Sequence, residues 1–510
     1  MAGSLIAGGL VLAASSPASA LTCTSGVEGD VNGDGYAEVA VSEPGSADPG
    51  GAVHVFYGRP KGLSGGPSGT ALDDQYIDQS VSGVIGIGND WDDFGGSLTF
   101  GDFNDDGCAD LAVGAPGDAP EEAEDAPVAY MPGSIYVFYG SKSGLKMTGS
   151  KRITNEEVFG SDISSYPVLR RLGQALEAAD LNHDGVTDLA SGGSIAIFEG
   201  NSAGLSVDQS TVPHPDGGAA DAVYRGNVLA AGDFDGDGVQ ELATGQEGGS
   251  KVQILEWDGN AFVPTTTEPL TGPSLGVDDV TFQESEEEPG EMIEVHNFGQ
   301  VLAAGDVDAD GYDDLAAGLP EVGLGGSVAL VKGSASGLTA TGVKQWTQSS
   351  PGIAGANGER HFFGSSLAMG RLNSGSFDDL AIGTIYDDID GKNAAGSVTI
   401  LLGSSTGLTT AGSGGARFHQ NTSGIAGSVE AGDYFGASVA IANVQSQTQG
   451  SLIIGAPSEG VGTVMDAGQF HQLSIATTGP KTSGSVALNL GSTGVKGAVR
   501  KWGGFGGVLD

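Results

Sequence analysis

Basic residues are scarce in this sequence. Its 510 residues include 20 lysines and arginines against 65 aspartates and glutamates, so the formal net charge is −45. A surface of this sign repels nucleic-acid phosphates and anionic lipid headgroups. The charge balance therefore excludes nucleic acid and anionic membrane surfaces as expected partners.

Aromatic residues, paired histidines and long apolar runs are also few. Aromatics make up 6% of the chain, so a core must be built from many short strands of Val, Ile, Leu and Ala. Beyond residues 1–20, no segment approaches about 18 consecutive apolar residues, so no membrane span is expected. The 7 histidines show no H-x-x-x-H spacing, which excludes a zinc site of that kind.

The N-terminal region is typical of a secretory signal peptide. Residues 1–20 contain an apolar stretch over residues 5–14 and end in an A-x-A cleavage pattern, although a basic start is lacking. We therefore expect a secreted or cell-surface-associated protein. In an exported chain the two cysteines, Cys23 and Cys108, allow one disulfide, with free thiols as the alternative.

A short acidic loop is the most informative motif. Within residues 101–116, oxygen-bearing side chains recur at Asp102, Asn104, Asp106 and Asp110. Gly107 permits a sharp turn, and an apolar run follows at once. Calcium takes about six to eight oxygen ligands at about 2.3–2.6 Å, and a loop that bends around one ion supplies them. This spacing therefore predicts a calcium site.

Five copies of the loop keep the ligands, and two copies have lost them. The predicted metal-binding residues are Asp30, Asn32, Asp34, Tyr36, Glu38, Asp102, Asn104, Asp106, Cys108, Asp110, Asp180, Asn182, Asp184, Val186, Asp188, Asp233, Asp235, Asp237, Val239, Glu241, Asp306, Asp308, Asp310, Tyr312 and Asp314. The degenerate copies carry Arg371, Asn373, Gly375 and Asp379, and Asn443, Gln445, Gln447 and Ser451. We therefore predict about five structural Ca²⁺ ions, with no other cofactor.

Three other interpretations of the loop compete with this one. An EF-hand needs a bidentate Glu at loop position 12, but that position holds Val41, Val113, Ser191, Thr244 or Ala317. A calcium-binding β-solenoid needs a nonapeptide G-G-x-G-x-D period, which is absent. A solvated acidic turn that binds nothing explains one copy better than five copies in the same register.

Each copy of the loop belongs to a longer repeat. In the second repeat, apolar segments cover residues 95–100, 111–114 and 134–138, with a weaker one near residues 151–154. They are short, rich in β-branched or aromatic residues and bounded by Gly, Pro and Asp, which is typical of strands. Seven such units without a helical pattern predict an all-β, seven-bladed β-propeller of four-stranded antiparallel blades, as a single domain over residues 21–510.

The repeat resembles a known family. A Phe-Gly pair such as residues 94–95 precedes the D-x-[DN]-x-D-G-x-x-[DE] loop, and Gly-Ala-Pro follows at residues 114–116 and 455–457. This order is similar to the FG-GAP repeat of integrin α subunits and of bacterial secreted proteins, and the resemblance covers residues 27–510. It implies a seven-bladed propeller with calcium-binding loops between strands A and B, and a partner-binding face away from those loops.

The first unit lacks a Phe-Gly strand before Asp30. The final residues 505–510 (FGGVLD) match residues 94–98 (FGGSL), which favours a ring whose first blade is completed by the C-terminal segment. Residues 22–28 are the alternative for this strand, because they run directly into Asp30.

The topology of an up-and-down blade decides which loops share a face. The A–B loops and the tight C–D turns lie at one end of the ring, and long insertions lie at the other. These insertions are residues 73–93, 117–132, 265–297 and 345–361. Aromatic residues in or beside them, Trp91, Trp346 and Tyr76, are candidate ligand anchors, with gap filling between blades as the alternative for the tryptophans.

The sequence contains G-x-S-x-G at residues 200–204 and 403–407, but both lie in repeated hairpin turns, where a nucleophile elbow does not form. We therefore predict no enzyme. The expected function is a non-catalytic, monomeric, secreted binding or adhesion module whose ligand is an extracellular protein or glycan. The alternatives are a glycan-binding lectin and a polysaccharide-active lyase or hydrolase built on a calcium propeller.

Overall fold

A computed structural model describes residues 23, 26–44, 50–63, 74–86, 88–89, 91–118, 132–159, 171–207, 225–246, 251–259, 261–265, 269–284, 292–474 and 476–510. The predicted signal peptide, residues 1–20, lies outside the described residues, and so do residues 119–131 of the predicted insertion 117–132. Among the described helices, none has the length and apolar character needed to cross a membrane.

Antiparallel sheets stand side by side as the blades of a propeller, which confirms the predicted all-β, seven-bladed fold. Blade 1 contains β1 (Val39–Glu43), β2 (Ala52–Phe56) and β3 (Gln75–Ile77). Blade 2 contains β4 (Ser97–Gly101), β5 (Asp110–Ala115), β6 (Ser134–Phe138) and β7 (Lys151–Thr154). Blade 3 contains β8 (Leu176–Ala179), β9 (Asp188–Ser191) and β11 (Ala196–Phe198), while the short β10 (Gly193–Ser194) pairs with the first strand of blade 4. The helix α1 (Asn155–Phe159) follows β7.

The remaining blades follow in chain order. Blade 4 contains β12 (Arg225–Gly232), β13 (Glu241–Gln246), β14 (Val252–Trp257) and β15 (Phe262–Pro264), and blade 5 contains β18 (Val301–Gly305), β19 (Asp314–Leu319), β20 (Ser327–Lys332) and β21 (Thr339–Trp346). Blade 6 contains β22 (Phe363–Gly370), β23 (Asp379–Thr384), β24 (Ser397–Leu401) and β25 (Arg417–Phe418). Blade 7 contains β26 (Val439–Ala442), β27 (Ser451–Ala456), β28 (Gln469–Ser474) and β29 (Lys481–Leu488). Between blades 4 and 5, the insertion carries α2 (Gly272–Leu275) and a hairpin, β16 (Val280–Glu284) and β17 (Met292–His296).

The strands are short because turn-forming residues interrupt each apolar run. β5, for example, begins after the loop glycine Gly107 and ends before Pro116, and all six of its residues are buried. It pairs with both neighbours, since Val113 faces Leu98 in β4 and Tyr136 in β6. A sheet that is buried on both faces needs a partner on each side, and the ring supplies one to every blade.

The first strand of each blade lies next to the axis of the ring. Residues of β4, β8, β12, β18, β22 and β26, together with Asp510, line one cavity of about 630 Å³. The aromatic side chains of the Phe-Gly pairs are fully buried: Phe94, Phe298, Phe363, Phe435 and Phe505. The glycine that follows allows close approach of the preceding blade. Gly95 has a φ of 91°, and a Cβ there would lie 3.0 Å from Val53 Cγ2.

The C-terminal segment pairs with β1 and forms the innermost strand of blade 1. The N–H of Ala40 donates to the carbonyl of Asp510 at 2.8 Å, and the N–H of Asp510 donates back at 3.1 Å. The N–H of Ser42 donates to the carbonyl of Val508 at 3.0 Å. Residues 22–28 were the alternative for this strand. Residues 26–28 of this segment instead enter a turn in which the N–H of Asp30 donates to the carbonyl of Val27 at 3.2 Å.

A disulfide joins Cys23 to Cys108, across 85 residues of sequence. It connects the segment before the first acidic loop to the acidic loop of blade 2. A cross-link that closes a loop of this length removes entropy from the unfolded chain worth about 4–5 kcal/mol. Since both cysteines take part, neither of the alternative free thiols exists in this structure.

Replacing Phe505 by Ala is expected to destabilise the whole ring. The Phe505 side chain is 0% exposed, and its ring centroid lies 5.8 Å from that of Phe470 and 6.3 Å from that of Phe56. Truncation of a buried aromatic costs about 3–5 kcal/mol. Trp502→Ala is the matched control, because Trp502 lies in the same segment and is 63% exposed. Chemical denaturation measures both variants, and equal losses would contradict closure through this strand.

Candidate metal centres and ligand-binding face

Five acidic loops lead into the second strand of blades 1 to 5. We name them acidic loops 1 to 5: residues 30–38, 102–110, 180–188, 233–241 and 306–314. Every residue predicted to hold metal lies in one of these loops. The structure therefore gathers the predicted residues into separate groups, one for each of the first five blades.

Acidic loop 4 shows how the backbone winds around side-chain oxygens. The two carboxylate oxygens of Asp233 accept from the N–H groups of Gly236 at 2.7 Å and Gly238 at 3.0 Å. At the other end of the loop, Glu241 Oε2 accepts from the N–H of Phe234 at 2.8 Å. Gly238 has a φ of 90°, which a residue with a side chain rarely adopts. The first and last acidic residues thus fix the loop from both ends.

The same hydrogen bond recurs at the seventh position of every acidic loop. The backbone N–H of this residue donates to Oδ1 of the aspartate two residues earlier, at 2.8–3.1 Å. The residues at this position are Tyr36, Cys108, Val186, Val239 and Tyr312. Valine has no side-chain oxygen, and Cys108 Sγ is bonded to Cys23. A ligand role for this position therefore requires its backbone carbonyl.

Carboxylate oxygens converge within 4.8 Å of one another in three of the loops. The groups are Asp233, Asp235, Asp237 and Glu241; Asp30, Asp34 and Glu38; and Asp306, Asp308 and Asp310. The last acidic residue joins its group only where it is Glu, whose side chain is one methylene longer than that of Asp. Carboxylates held this close repel one another unless a proton or a cation lies among them.

Two buried oxygens in these loops have no hydrogen-bond partner: Asn104 Oδ1 and Asp308 Oδ1, both at the third loop position. The amide of Asn104 donates to Asp110 at 3.2 Å, so only its oxygen is unsatisfied. A buried polar atom without a partner costs free energy, which a bound cation would recover. Because the donors are all oxygens and several are carboxylates, the residues present fit a hard cation such as Ca²⁺.

The last acidic residue of each loop is the most deeply buried one. Burial raises the pKa of Asp110 and Glu241 to about 8 and the pKa of Asp188 to about 7. Hydrogen bonds from backbone N–H groups lower these pKa values, but burial has the larger effect. Asp314, beside the ammonium of Lys332, has a pKa raised by burial only to about 6. Neighbouring aspartates in the same loop add to the rise. A divalent cation would reverse it, because it favours the ionised carboxylate.

Neighbouring loops are joined through their backbones. The N–H of Ala109 donates to the carbonyl of Asp30 at 3.0 Å, which links acidic loops 1 and 2. The N–H of Asp313 donates to the carbonyl of Asp233 at 2.8 Å, and Asp313 Oδ2 accepts from the N–H of Asp233 at 2.9 Å. Acidic loops 1 and 2, and acidic loops 4 and 5, are therefore held together in pairs, so order in one loop of a pair limits the movement of the other.

The two degenerate loops replace carboxylate pairs by neutral hydrogen bonds. In blade 6, the amide of Asn373 donates to Asp379 at 2.7 Å, and Gly375 N–H donates to the oxygen of that same amide at 2.6 Å. In blade 7, Ser451 donates to Gln445 at 3.3 Å. Neither described loop therefore needs a cation to neutralise its side chains.

The insertion face lies at the other end of the ring. It is formed by the connections from the second to the third strand of each blade and by the connections between blades. Buried ion pairs support it: Arg152 Nη2 lies 2.7 Å from Asp118 Oδ1, and Arg417 pairs with Asp387. Sequence reasoning missed these pairs, because each aspartate lies in a connection after the second strand of its blade and each arginine lies in the fourth strand, about 30 residues away.

A repeated sequence pattern marks some of the buried contacts beneath the insertion face. The pattern Q-x-x-x-G-[IV]-x-G recurs at residues 79–86, 348–355 and 420–427, each in a connection between blades. Each glutamine donates to a buried carboxylate, at 2.9 Å, 3.1 Å and 2.6 Å in that order. The repeated pattern thus holds the connections between blades in place beneath the insertion face.

Large exposed apolar side chains within the described residues all lie on the insertion face. They are Ile85, Trp91, Leu324, Tyr386, Met465 and Trp502. Two further aromatic residues, Phe362 and Tyr434, have ring centroids 4.9 Å and 5.5 Å from that of Tyr386. Both have positive φ values, 62° and 56°, which are rare and costly for bulky residues and are found at binding sites.

The three predicted aromatic anchors behave differently. Trp91 is 79% exposed, as a surface anchor requires. Trp346 follows the alternative of gap filling: it is 9% exposed at the end of β21 and packs in the core beside Ile353 and Phe363. Tyr76 is half-buried, with its ring 5.1 Å from that of the buried His54. Strand pairing draws Trp346 and Tyr76 inward, which their positions near long insertions did not indicate.

Comparison with known proteins places these features in a family context. The FG-GAP repeat family matches residues 24–56, 94–138 and 225–256. Bovine phosphatidylinositol-glycan-specific phospholipase D is 34% identical over 180 residues, which are 34% of this chain and 19% of that protein. Human integrin alpha-D is 37% identical over 108 residues, which are 21% of this chain and 8% of that protein. The chain therefore spans about a fifth or less of the length of these relatives.

Among solved structures, that of dihydro-heme d1 dehydrogenase NirN in complex with DHE aligns with a TM-score of 0.39 and 9% identity over 89% of this chain and 74% of that chain. A likeness this weak supports no conclusion about function.

The prediction that the chain is not an enzyme is contradicted by these comparisons. Proteins 34% identical to it over about a third of its length, from cattle and humans, are named phosphatidylinositol-glycan-specific phospholipase D, an enzyme. The prediction relied on the position of both G-x-S-x-G motifs in repeated hairpin turns, where no nucleophile elbow forms. That argument about the repeats does not separate an adhesion protein from an enzyme that contains a propeller of this kind.

In the presence of a chelator, thermal stability is expected to fall as the pH rises from about 4 to about 8. The pKa of Asp110 and of Glu241 is about 8 in the folded, metal-free protein, above the value of about 4 for an unfolded carboxyl. The folded state then binds more protons than the unfolded state, so deprotonation removes stability across this window. Melting curves between pH 5 and pH 8 measure the slope, and 1 mM CaCl₂ is expected to remove most of it.

Glu241→Gln isolates the contribution of one loop. With chelator at pH 8, this variant is expected to melt above the wild type, because the neutral amide no longer repels the aspartates of acidic loop 4. Glu156→Gln, an exposed acidic residue of α1, serves as the control for the loss of one charge. A wild-type melting temperature that is unaffected by chelator and calcium at every pH would contradict the role assigned to the loops.

Proposed function

We propose that this chain, a seven-bladed propeller with FG-GAP repeats similar to those of integrin α subunits, is a secreted, calcium-stabilised module that binds an extracellular ligand. The ligand is a protein or a glycan, and it binds at the insertion face. The observation that carries the proposal is the gathering of large exposed apolar side chains on that one face. On an acidic protein, exposed apolar surface of this kind marks an interaction site.

Calcium binding is supported by the acidic loops. Glycines with positive φ give all five loops the curvature that a Ca²⁺ ion needs. Converging carboxylates in acidic loops 1, 4 and 5 and unsatisfied buried oxygens in acidic loops 2 and 5 supply donors for the ion. The ion would neutralise the loop and cross-link its two ends. At a hundredfold excess over the dissociation constant, one site adds about 2.7 kcal/mol to the stability of the fold. The ion would stabilise the fold and would not contact the ligand, since the loops lie away from the insertion face.

An extracellular location is supported by two independent features. Residues 1–20 have the pattern of a cleaved signal peptide. The two cysteines of the chain form a disulfide between distant segments, a bond that persists in oxidising compartments. Millimolar calcium is also an extracellular condition, and extracellular calcium modules often bind with dissociation constants of about 10⁻⁴–10⁻³ M.

The insertion face suits ligand binding for physical reasons. Trp91 and Trp502 are 79% and 63% exposed, so each presents a large rigid side chain that loses little conformational entropy on binding. Lys501 Nζ lies 4.7 Å from the Trp502 ring, which restricts that side chain further. The connections that carry these residues vary in length between blades, whereas the blades themselves repeat. Variable loops on a rigid scaffold are where binding sites usually lie.

Trp91→Ala and Trp502→Ala are expected to weaken ligand binding by tenfold or more each, on the order of 2 kcal/mol for an interface anchor. Binding is measured on a glycan array and on an array of purified extracellular-matrix proteins, each in 1 mM CaCl₂. Lys142→Ala is the control, because Lys142 is exposed in a turn at the end of the ring that carries the acidic loops. Melting temperatures of all variants should match the wild type.

The two arrays separate the classes of ligand. Loss of binding to a glycan in the tryptophan variants assigns a lectin function, and loss of binding to a protein assigns adhesion. Equal binding by the Trp91, Trp502 and Lys142 variants would contradict the assignment of the insertion face.

A second candidate function follows from the relatives named phosphatidylinositol-glycan-specific phospholipase D. In this case the propeller is part of an enzyme that acts on phosphatidylinositol-glycan. Incubation of the chain with vesicles that display a phosphatidylinositol-glycan-anchored reporter protein is expected to release the reporter in a calcium-dependent manner. Boiled protein is the control. If the native chain releases no more reporter than the boiled chain, this activity is excluded for the chain.

A further inference from the structure

Lys332 lies at a position that carries no basic residue in the other blades with acidic loops. It faces Asp314, the last residue of acidic loop 5, because Leu315 pairs with Val331 in the adjoining strands. The same register places other side chains opposite the last acidic residue of acidic loops 1 to 4: Tyr57, Tyr139, Glu199 and Glu256. The cross-strand position is therefore neutral or acidic in blades 1 to 4 and basic in blade 5.

The ammonium group of Lys332 contacts the acidic loop directly. Its Nζ lies 2.5 Å from Asp308 Oδ2 and 2.9 Å from Asp314 Oδ2. The side chains of Lys332, Asp308 and Asp314 are 18%, 13% and 1% exposed, so water screens these contacts only weakly. Asp308 also belongs to the group of converging carboxylates in this loop. The ammonium thus neutralises the same side chain that a metal ion would bind.

Building on the proposed calcium binding, we infer that the Lys332 ammonium occupies the cation position of acidic loop 5 and acts as a built-in substitute for Ca²⁺. A divalent ion that enters this loop must share Asp308 with an ammonium one hydrogen bond away, or displace it. Repulsion between the two cations lowers the calcium affinity of acidic loop 5 below that of acidic loops 1 to 4. For the same reason, blade 5 keeps its loop ordered when calcium is removed.

Glu256 represents the opposite case in blade 4. It places a further carboxylate across from Glu241, beside the aspartates of acidic loop 4. Added negative charge at this position favours a bound cation, and blade 3 carries Glu199 there as well. Acidic loops 3 and 4 therefore have a higher calcium affinity than acidic loop 5. The charge of one cross-strand residue thereby separates these blades from blade 5 in calcium uptake.

Lys332→Met tests the inference, because it keeps the aliphatic stem and removes the charge. Calorimetric titration of the chelator-treated full chain with CaCl₂ is expected to show one more tight site than the wild type. The dissociation constant of that site should fall by about tenfold or more, because an ammonium at hydrogen-bond distance repels a divalent ion strongly. In chelator, the same variant should melt below the wild type, since Asp308 and Asp314 lose their partner.

Two further variants complete the design. Lys332→Glu reproduces the arrangement of blade 4 and should bind the additional ion at least as tightly as Lys332→Met, which provides a second readout if the Met variant does not fold. Lys481→Met removes the same charge from an exposed position on β29, in the blade whose loop has lost its acidic ligands, and should behave as the wild type in calcium titrations.

The outcomes separate this inference from the proposal on which it rests. Five sites of equal affinity in the wild type, or identical titrations for Lys332→Met and Lys481→Met, would overturn the role of Lys332 and leave calcium binding intact. Absence of calcium binding in the wild type and in every variant would overturn the proposed calcium binding, and this inference with it.

Discussion

Repulsion among carboxylates at the ends of the inner strands is the constraint on which this propeller depends. The buried phenylalanines of the inner strands hold the blades together, so the acidic loops cannot spread apart to relieve their charge. The loops relieve it in different ways. Burial raises the pKa of Asp110 and Glu241, an ammonium neutralises Asp308, and the amide of Asn373 donates a hydrogen bond to Asp379. A bound divalent cation would offset the charge of a whole loop at once.

The two ends of the ring are built on different principles. At one end, backbone hydrogen bonds join acidic loop 1 to acidic loop 2 and acidic loop 4 to acidic loop 5, so stabilisation of one loop extends to its partner. At the other end, buried carboxylates pair with arginine or glutamine and hold connections of unequal length. The first end is uniform and suits a structural role. The second end carries the exposed Trp91 and Trp502, and it suits recognition.

The fold was predictable because each blade repeats its own signals, so that a weak motif such as Phe94-Gly95 gains weight from its copies. The acidic loops were predictable for the same reason. Contacts between strands were not: the ion pair of Lys332 with Asp314 depends on the register of β20 against β19, and Arg152 meets Asp118 across 34 residues. The β16–β17 hairpin was also missed, because it lies in an insertion that no other blade repeats.

Pairing of the C-terminal segment with β1 has a consequence for biosynthesis. Val508 and Ser42 are hydrogen-bonded across 466 residues, so blade 1 lacks its inner strand until residues 505–510 have been synthesised. During that time β1 presents an unpaired edge, the kind of surface that recruits other chains. A copy of the chain that lacks these residues keeps this edge exposed, and it is therefore more prone to associate with other chains.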